Sequence, residues 1–172
     1  MVDDPDRRGF LKVTACALGG GLGLAVGVPA LRVLAAPDGE TTVSTPHEPL
    51  DVGAVASFPL HQPTKVTVLA PQLSDAWTTA RDVVLGAAWV HRTSETQVEV
   101  FSAVCPHLGC GIGFDAGHFT CPCHDSAFDL AGARQHGPAK RGLDTLAWHV
   151  VDGRLRITWV KYALDTDEKT PG

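Results

Sequence analysis

Charge is scarce in this sequence, and a basic surplus is missing altogether. Charged residues make up 19% of the 172, with 14 basic against 19 acidic and a net charge of −5. So little charge excludes a chain that is disordered throughout. From residue 37 onward, 10 basic and 16 acidic residues leave −6. Without Lys/Arg patches to meet phosphates, nucleic acid is a poor partner. Beyond residue 34 there is no sustained 3.6-residue hydrophobic period, although 72–81 has room for a helical turn, so a helical fold is not expected. No Ser-His-Asp arrangement, phosphate loop or carboxylate pair stands out, which leaves acyl- and phosphoryl-transfer chemistry without its usual residues.

What the sequence does have is concentrated between residues 105 and 126. It reads Cys105-Pro106-His107-Leu108-Gly109-Cys110, ten intervening residues, then Cys121-Pro122-Cys123-His124-Asp125-Ser126. Four of the five cysteines and three of the eight histidines lie here, with His107 and His124 inside the two clusters and His118 between them. Thiolates and imidazoles at this spacing suit zinc or iron. One tetrahedral zinc would take two sulfurs and two nitrogens. A 2Fe–2S cluster would take two thiolates on one iron and two imidazoles on the other, which raises its reduction potential above that of an all-cysteine cluster.

The N-terminus is compositionally separate. Asp6-Arg7-Arg8-Gly9-Phe10-Leu11-Lys12 precedes an apolar, Gly-rich run. It resembles a twin-arginine export signal, with Asp6 where Ser or Thr is usual; such signals carry folded proteins. Residues 13–31 would make about 28 Å of helix, close to the roughly 30 Å hydrocarbon core. A cytoplasmic segment 1–12 and a membrane anchor 13–34 are therefore expected, with the N-terminus cytoplasmic because Arg7, Arg8 and Lys12 come first. Val33-Leu34-Ala35 also fits signal peptidase, so the competing reading is a cleaved leader. Ala15, Gly19, Gly23 and Gly27 recur every four residues, a face suited to close helix packing or simply a Gly-rich signal. Residues 35–50, with Pro37, Gly39, Pro46 and Pro49, read as an extended hinge.

Residues 51–164 read as short strands. The stretch 65–69 alternates, 83–90 is a longer apolar run, and 97–104 alternates again. Asp152-Gly153 between 147–151 and 154–159 is a two-residue hairpin signal. A mainly antiparallel β head is expected, with Gly- and Pro-rich loops between 105 and 142 and a frayed polar tail at 165–172.

The pattern of Cys105, His107, Cys110, Cys121, Cys123 and His124 resembles the Rieske iron–sulfur proteins, most strongly over 100–142. The resemblance implies a Rieske-like antiparallel β-sandwich head with an inserted cluster-binding subdomain at about 104–142. It implies one 2Fe–2S cluster, with Cys105 and Cys121 on the inner iron and His107 and His124 on the outer. It makes Cys110 and Cys123 a disulfide, and Gly137-Pro138-Ala139 the loop covering the cluster. A Cys2His2 zinc site would leave two of these cysteines as free thiols. The disulfide, anchor, hinge and export signal are similar to those of the quinol-oxidising members of cytochrome bc-type complexes. That implies electron transfer from quinol to a c-type cytochrome beside a cytochrome b-type subunit, in a dimeric multi-subunit complex of the bacterial inner membrane, head outward. His124, then His107, are the residues expected to meet the quinol. The competing resemblance is to the Rieske small subunit of a periplasmic molybdenum oxidase such as arsenite oxidase.

Hydrogen-bond donors to the cluster sulfurs tune the potential of such a cluster. Ser126 stands where the high-potential members have a donating Ser, but Phe128 stands where they have Tyr. Its missing hydroxyl implies a lower potential, suited to menaquinol. Asp125, where Gly is common, is expected to face solvent. His47, His61, His91, His118, His136 and His149 read as surface or hydrogen-bonded structural residues. Trp77, Trp89, Trp148 and Trp159 read as packing residues, and Lys140-Arg141 as surface charge.

Overall fold

The computed structural model describes residues 5–35, 48–74 and 79–172. Most of the expected hinge, together with His47 and Trp77, lies outside them. The chain divides into two units, Met1–Thr41 and Thr42–Gly172.

The first unit is the helix α1 (Pro5–Leu34). It starts ahead of the expected anchor, so Arg7, Arg8 and Lys12 are helical too. Pro5 can open a helix because the first N–H groups lack intrahelical partners. Asp6 in the first turn and Arg32 in the last oppose the ends of the helix dipole. The stretch Asp6–Leu34 is long and apolar enough to cross a membrane.

The second unit is built on three antiparallel sheets. One has the order β1 (Leu50–Ala54), β10 (Arg154–Ile157), β9 (Trp148–Val151). The next is β2 (Thr64–Ser74), β3 (Thr79–Arg92), β4 (Val98–Ser102). The third runs in sequence order: β5 (Gly113–Asp115), β6 (His118–Cys121), β7 (Ser126–Phe128), β8 (Arg134–His136). The hairpin signal holds: β9 and β10 pair from Arg154 against Val151, and Asp152 and Gly153 have φ of 50° and 74°, as that turn requires. The turn expected within 72–81 is strand where it is described.

Side chains alternate across a strand, and β3 and β4 use both faces. Ala88, Val90, Val98 and Val100 join Leu50, Val68, Leu155, Ile157 and Trp159 in one core. Trp89 and Phe101, paired across the strands, join Cys105, Ile112, Phe119, Cys121 and Phe128 in another. Two-sided burial is why 88–90, at the end of the apolar run, does not alternate; Val84, earlier in the run, is exposed. Gly86 is required by contact: a Cβ there would collide with the Trp159 ring. Trp148 is half-buried against the first core. His91 is buried, with Nδ1 3.3 Å from Glu99.

The tail expected to fray does not. Residues 161–172 fold back: Ala163 N–H donates to the Thr170 carbonyl (2.9 Å) and Gly172 N–H to that of Lys161 (3.0 Å). Lys169 donates to the carbonyl (2.6 Å) and hydroxyl (2.7 Å) of Thr145. Nor is Arg141 surface charge, since its side chain is only 9% exposed. Its Nε and Nη2 grip Asp144 at 2.9 Å each; Nη2 also donates to the Ala163 carbonyl (2.7 Å). Nη1 donates to the carbonyl (2.6 Å) and hydroxyl (2.8 Å) of Thr166. These bonds use all five guanidinium donors. A sequence that is polar outside is thus tethered by one saturated side chain inside.

Candidate metal centre

Two tight loops present the residues singled out by the sequence. The first leaves β4 and closes on itself: Cys105 N–H donates to the Cys110 carbonyl (2.7 Å), and Gly109 N–H to that of Cys105 (3.0 Å). Gly109 has φ of 80°, which makes the reversal. The second is the four-residue turn 122–125 between β6 and β7, closed by the pairing of Cys121 with Ser126. Asp125 there has φ of 57°. Glycine takes that conformation freely and Asp tolerates it. The Asp125 side chain is 97% exposed, facing solvent as expected, with its Oδ2 3.8 Å from His136 Nε2.

A disulfide joins Cys110 to Cys123 and so ties the loops together. Cys105 and Cys121 remain free and are buried. The His107 and His124 rings meet edge to face with centroids 4.9 Å apart. His107 is half-buried and His124 exposed. The site is therefore polarised, with sulfur inward and imidazole outward. The sulfurs of Cys110, Cys121 and Cys123 also lie within 4.8 Å of one another. That trio is a consequence of the bridge, because two of its sulfurs are already bonded and have no thiolate to give.

Burial pushes the Cys105 thiol up to about 11; the backbone N–H groups of His107 and Leu108 pull it down, and the neighbouring Cys121 thiol raises it again. A buried thiol that resists ionisation alone is suited to a cationic centre shared with the neighbouring Cys121 sulfur, whose charge favours thiolates. With two imidazoles at the rim, the donor set fits a mixed-ligand 2Fe–2S cluster.

The flanking residues hold this arrangement. Ser126 is buried, and its Oγ accepts a hydrogen bond from Ala139 N–H at 3.3 Å. The loop 137–139 can come so close because Gly137, with φ of 92°, has no side chain. A Cβ there would sit 2.6 Å from the Asp125 carbonyl oxygen and 2.7 Å from Ser126 Oγ. Phe128 is fully buried, two residues on from Ser126 in β7 and on the same face. The sequence reading missed Arg141, Asp144 and residues 161–172. Their charges and polar side chains look like ordinary surface, and only the folded chain brings them together.

A Rieske [2Fe-2S] domain model matches residues 49–147. The menaquinol:cytochrome c reductase iron–sulfur subunit of Geobacillus thermodenitrificans is 30% identical over 158 residues, 88% of this chain and 89% of that one. The cytochrome b6-f complex iron–sulfur subunit of Synechococcus sp. (strain RCC307) is 37% identical over 71 residues, 40% of each chain. A solved cyanobacterial plasma membrane Rieske protein from Synechocystis PCC 6803 aligns with 64% of this chain and 99% of its own, at 24% identity and a TM-score of 0.47. Rieske domains carry one 2Fe–2S cluster, and the buried thiols and outward imidazoles found here have the chemistry to hold it. With the domain match over more than half the chain, and a relative aligned along nearly the whole of it, this chain belongs to the Rieske [2Fe–2S] family.

Proposed function

We propose that this chain is the Rieske subunit of a membrane quinol–cytochrome c oxidoreductase of the menaquinol type. Cys105, Cys121, His107 and His124 are its cluster ligands. When bound, the cluster supplies a one-electron acceptor. The residues do the rest. Cys105 and Cys121 fix the site in the second core. The Cys110–Cys123 bridge keeps the two loops in register. His124, at the surface, accepts a hydrogen bond from the quinol hydroxyl and takes its proton, with His107 beside it.

The observation that carries this reading is the asymmetry of the site: sealed sulfurs and an exposed imidazole. An outward titratable imidazole can take a proton as the cluster takes an electron, and quinol oxidation releases both. The near full-length likeness to a menaquinol:cytochrome c reductase subunit supports the quinone class, as does Phe128 in place of a donor. Helix α1 is read as a single-pass anchor, and Arg7-Arg8 ahead of Phe10-Leu11-Lys12 as a twin-arginine signal. The N-terminus is then cytoplasmic and the head lies on the outer side, tethered by residues 35–50. Its partners are a cytochrome b-type subunit and a c-type cytochrome in a dimeric complex.

Co-purification from native membranes tests the proposal. Cytochrome b and c haems should accompany the chain. A molybdenum protein without those haems would overturn it in favour of a molybdenum oxidase, and zinc without iron or acid-labile sulfide would overturn both.

A further inference from the structure

We propose that residues 161–172 form a strap that positions the first cluster loop, residues 105–110, with Arg141 as its anchor. The inference rests on the reading of Cys105 and His107 as cluster ligands.

Pro106 lies between those two residues and is fully buried. Its carbonyl accepts a hydrogen bond from Asp165 N–H at 2.9 Å, a contact across 59 positions of sequence (165 against 106). Leu164 packs over the turn of the same loop: its Cδ1 is 3.1 Å from where a Cβ on Gly109 would stand, so the glycine makes room for the strap. Lys140 holds Asp165 from the other side, with Nζ 2.9 Å from its carbonyl oxygen and 3.3 Å from Oδ2. Arg141 then locks Ala163 and Thr166 on either side of the contact. The strap thus reaches both the ligand loop and the loop 137–141 that abuts Ser126.

Position matters here because the strapped loop carries the backbone N–H groups of His107 and Leu108 next to Cys105, in a turn closed by the Cys105–Cys110 and Gly109–Cys105 backbone bonds. Donors to a ligand sulfur favour the more negative, reduced state of a cluster. Holding the loop holds those donors. Among the described residues beyond Trp159, only the half-buried Tyr162 packs against a core, and none is fully buried in one. The strap is therefore placed to govern loop geometry more than global folding.

The test compares Asp165→Pro and Arg141→Lys with the parent full chain, with Asp165→Gly as control. Proline removes the N–H and cannot adopt the φ of 54° found at 165. Lysine keeps the charge but cannot make the five-donor fork. Glycine keeps the N–H, accepts the φ and keeps the carbonyl that Lys140 bonds; it gives up only the exposed ion pair with Lys140, which is worth little. Two quantities are read. One is the midpoint potential of the holoprotein, from a titration followed by electron paramagnetic resonance. The other is the rate at which dithiothreitol reduces Cys110–Cys123 in the cluster-free chain. Asp165→Pro and Arg141→Lys should load a cluster, show a lower potential, and lose the disulfide roughly fivefold faster or more, the factor that follows from losing a hydrogen bond's stability locally. Asp165→Gly should match the parent in both. Parent-like potentials and rates in Asp165→Pro and Arg141→Lys would overturn the strap. So would loss of the cooperative fold in both, which would make the segment a part of the fold. If the parent itself holds zinc and no sulfide, the cluster reading fails separately. The disulfide rate then decides the strap alone: faster in Asp165→Pro supports it, and an unchanged rate overturns it.

Discussion

Replacing Phe128 by tyrosine adds one hydroxyl to a fully buried ring in the core that contains Cys105 and Cys121. Phe128 shares its strand face with Ser126, which pairs across the sheet with Cys121. A hydroxyl at 128 therefore enters the sulfur-lined side of the site. A hydrogen bond to a charged group is worth about 1.5–3 kcal/mol, but only the part that strengthens on reduction moves a potential. If that part is about 1.4 kcal/mol, a one-electron couple rises by about 59 mV. The sign follows from charge: the reduced cluster is more negative and gains more from a donor. The alternative fate of the hydroxyl is burial without a partner, which costs about 1–3 kcal/mol of stability and leaves the potential where it was. A redox titration and a denaturant melt on the same variant separate the two. A higher potential with near-parent stability is expected. A folded, cluster-loaded Phe128→Tyr with an unchanged potential would refute the reasoning, and with it the account of Phe128 as a low-potential feature.

Other expectations can be checked in the same way. In the cluster-free chain the Cys105 thiol is raised from 9.0 to about 11, so folding favours its protonated form. That stabilisation is complete below pH 9 and is lost as pH climbs toward 11. Melts across this window should fall more steeply for the parent than for Cys105→Ala. Breaking the disulfide with Cys123→Ser opens a loop with sequence separation 13 and should cost roughly 3 kcal/mol, read from the melt of the cluster-free chain. Gly86→Ala drives a methyl into the Trp159 ring and should cost about 1–3 kcal/mol, with fluorescence of the tryptophans shifting as well.

The candidate ligands stood out because their chemistry is local: cysteine and histidine at fixed spacing need no folded neighbour to draw notice. The β9–β10 hairpin was legible because Asp152-Gly153 fixes its own backbone. Phe128 also stood out, because an absent hydroxyl is visible as a letter. The interactions of residues 161–172 were not legible, since an Arg–Asp fork with backbone carbonyls as partners has no composition of its own. Arg141 and Asp144 would look the same on an open surface. Where it is described, the stretch 72–81 is strand, with Gln72 pairing Arg81 and Ser74 pairing Thr79, because pairing with a neighbouring strand overrides weak local preference.

The sheet that contains β1 has a consequence for how the protein is made. Leu50 pairs with Ile157, so strands from opposite ends of the head must meet before that sheet exists. Contacts so distant in sequence form slowly. During synthesis, both ligand loops and the loop at 137–139 emerge before β10 does. Every sulfur and imidazole of the site is thus available on a chain whose first core is still open.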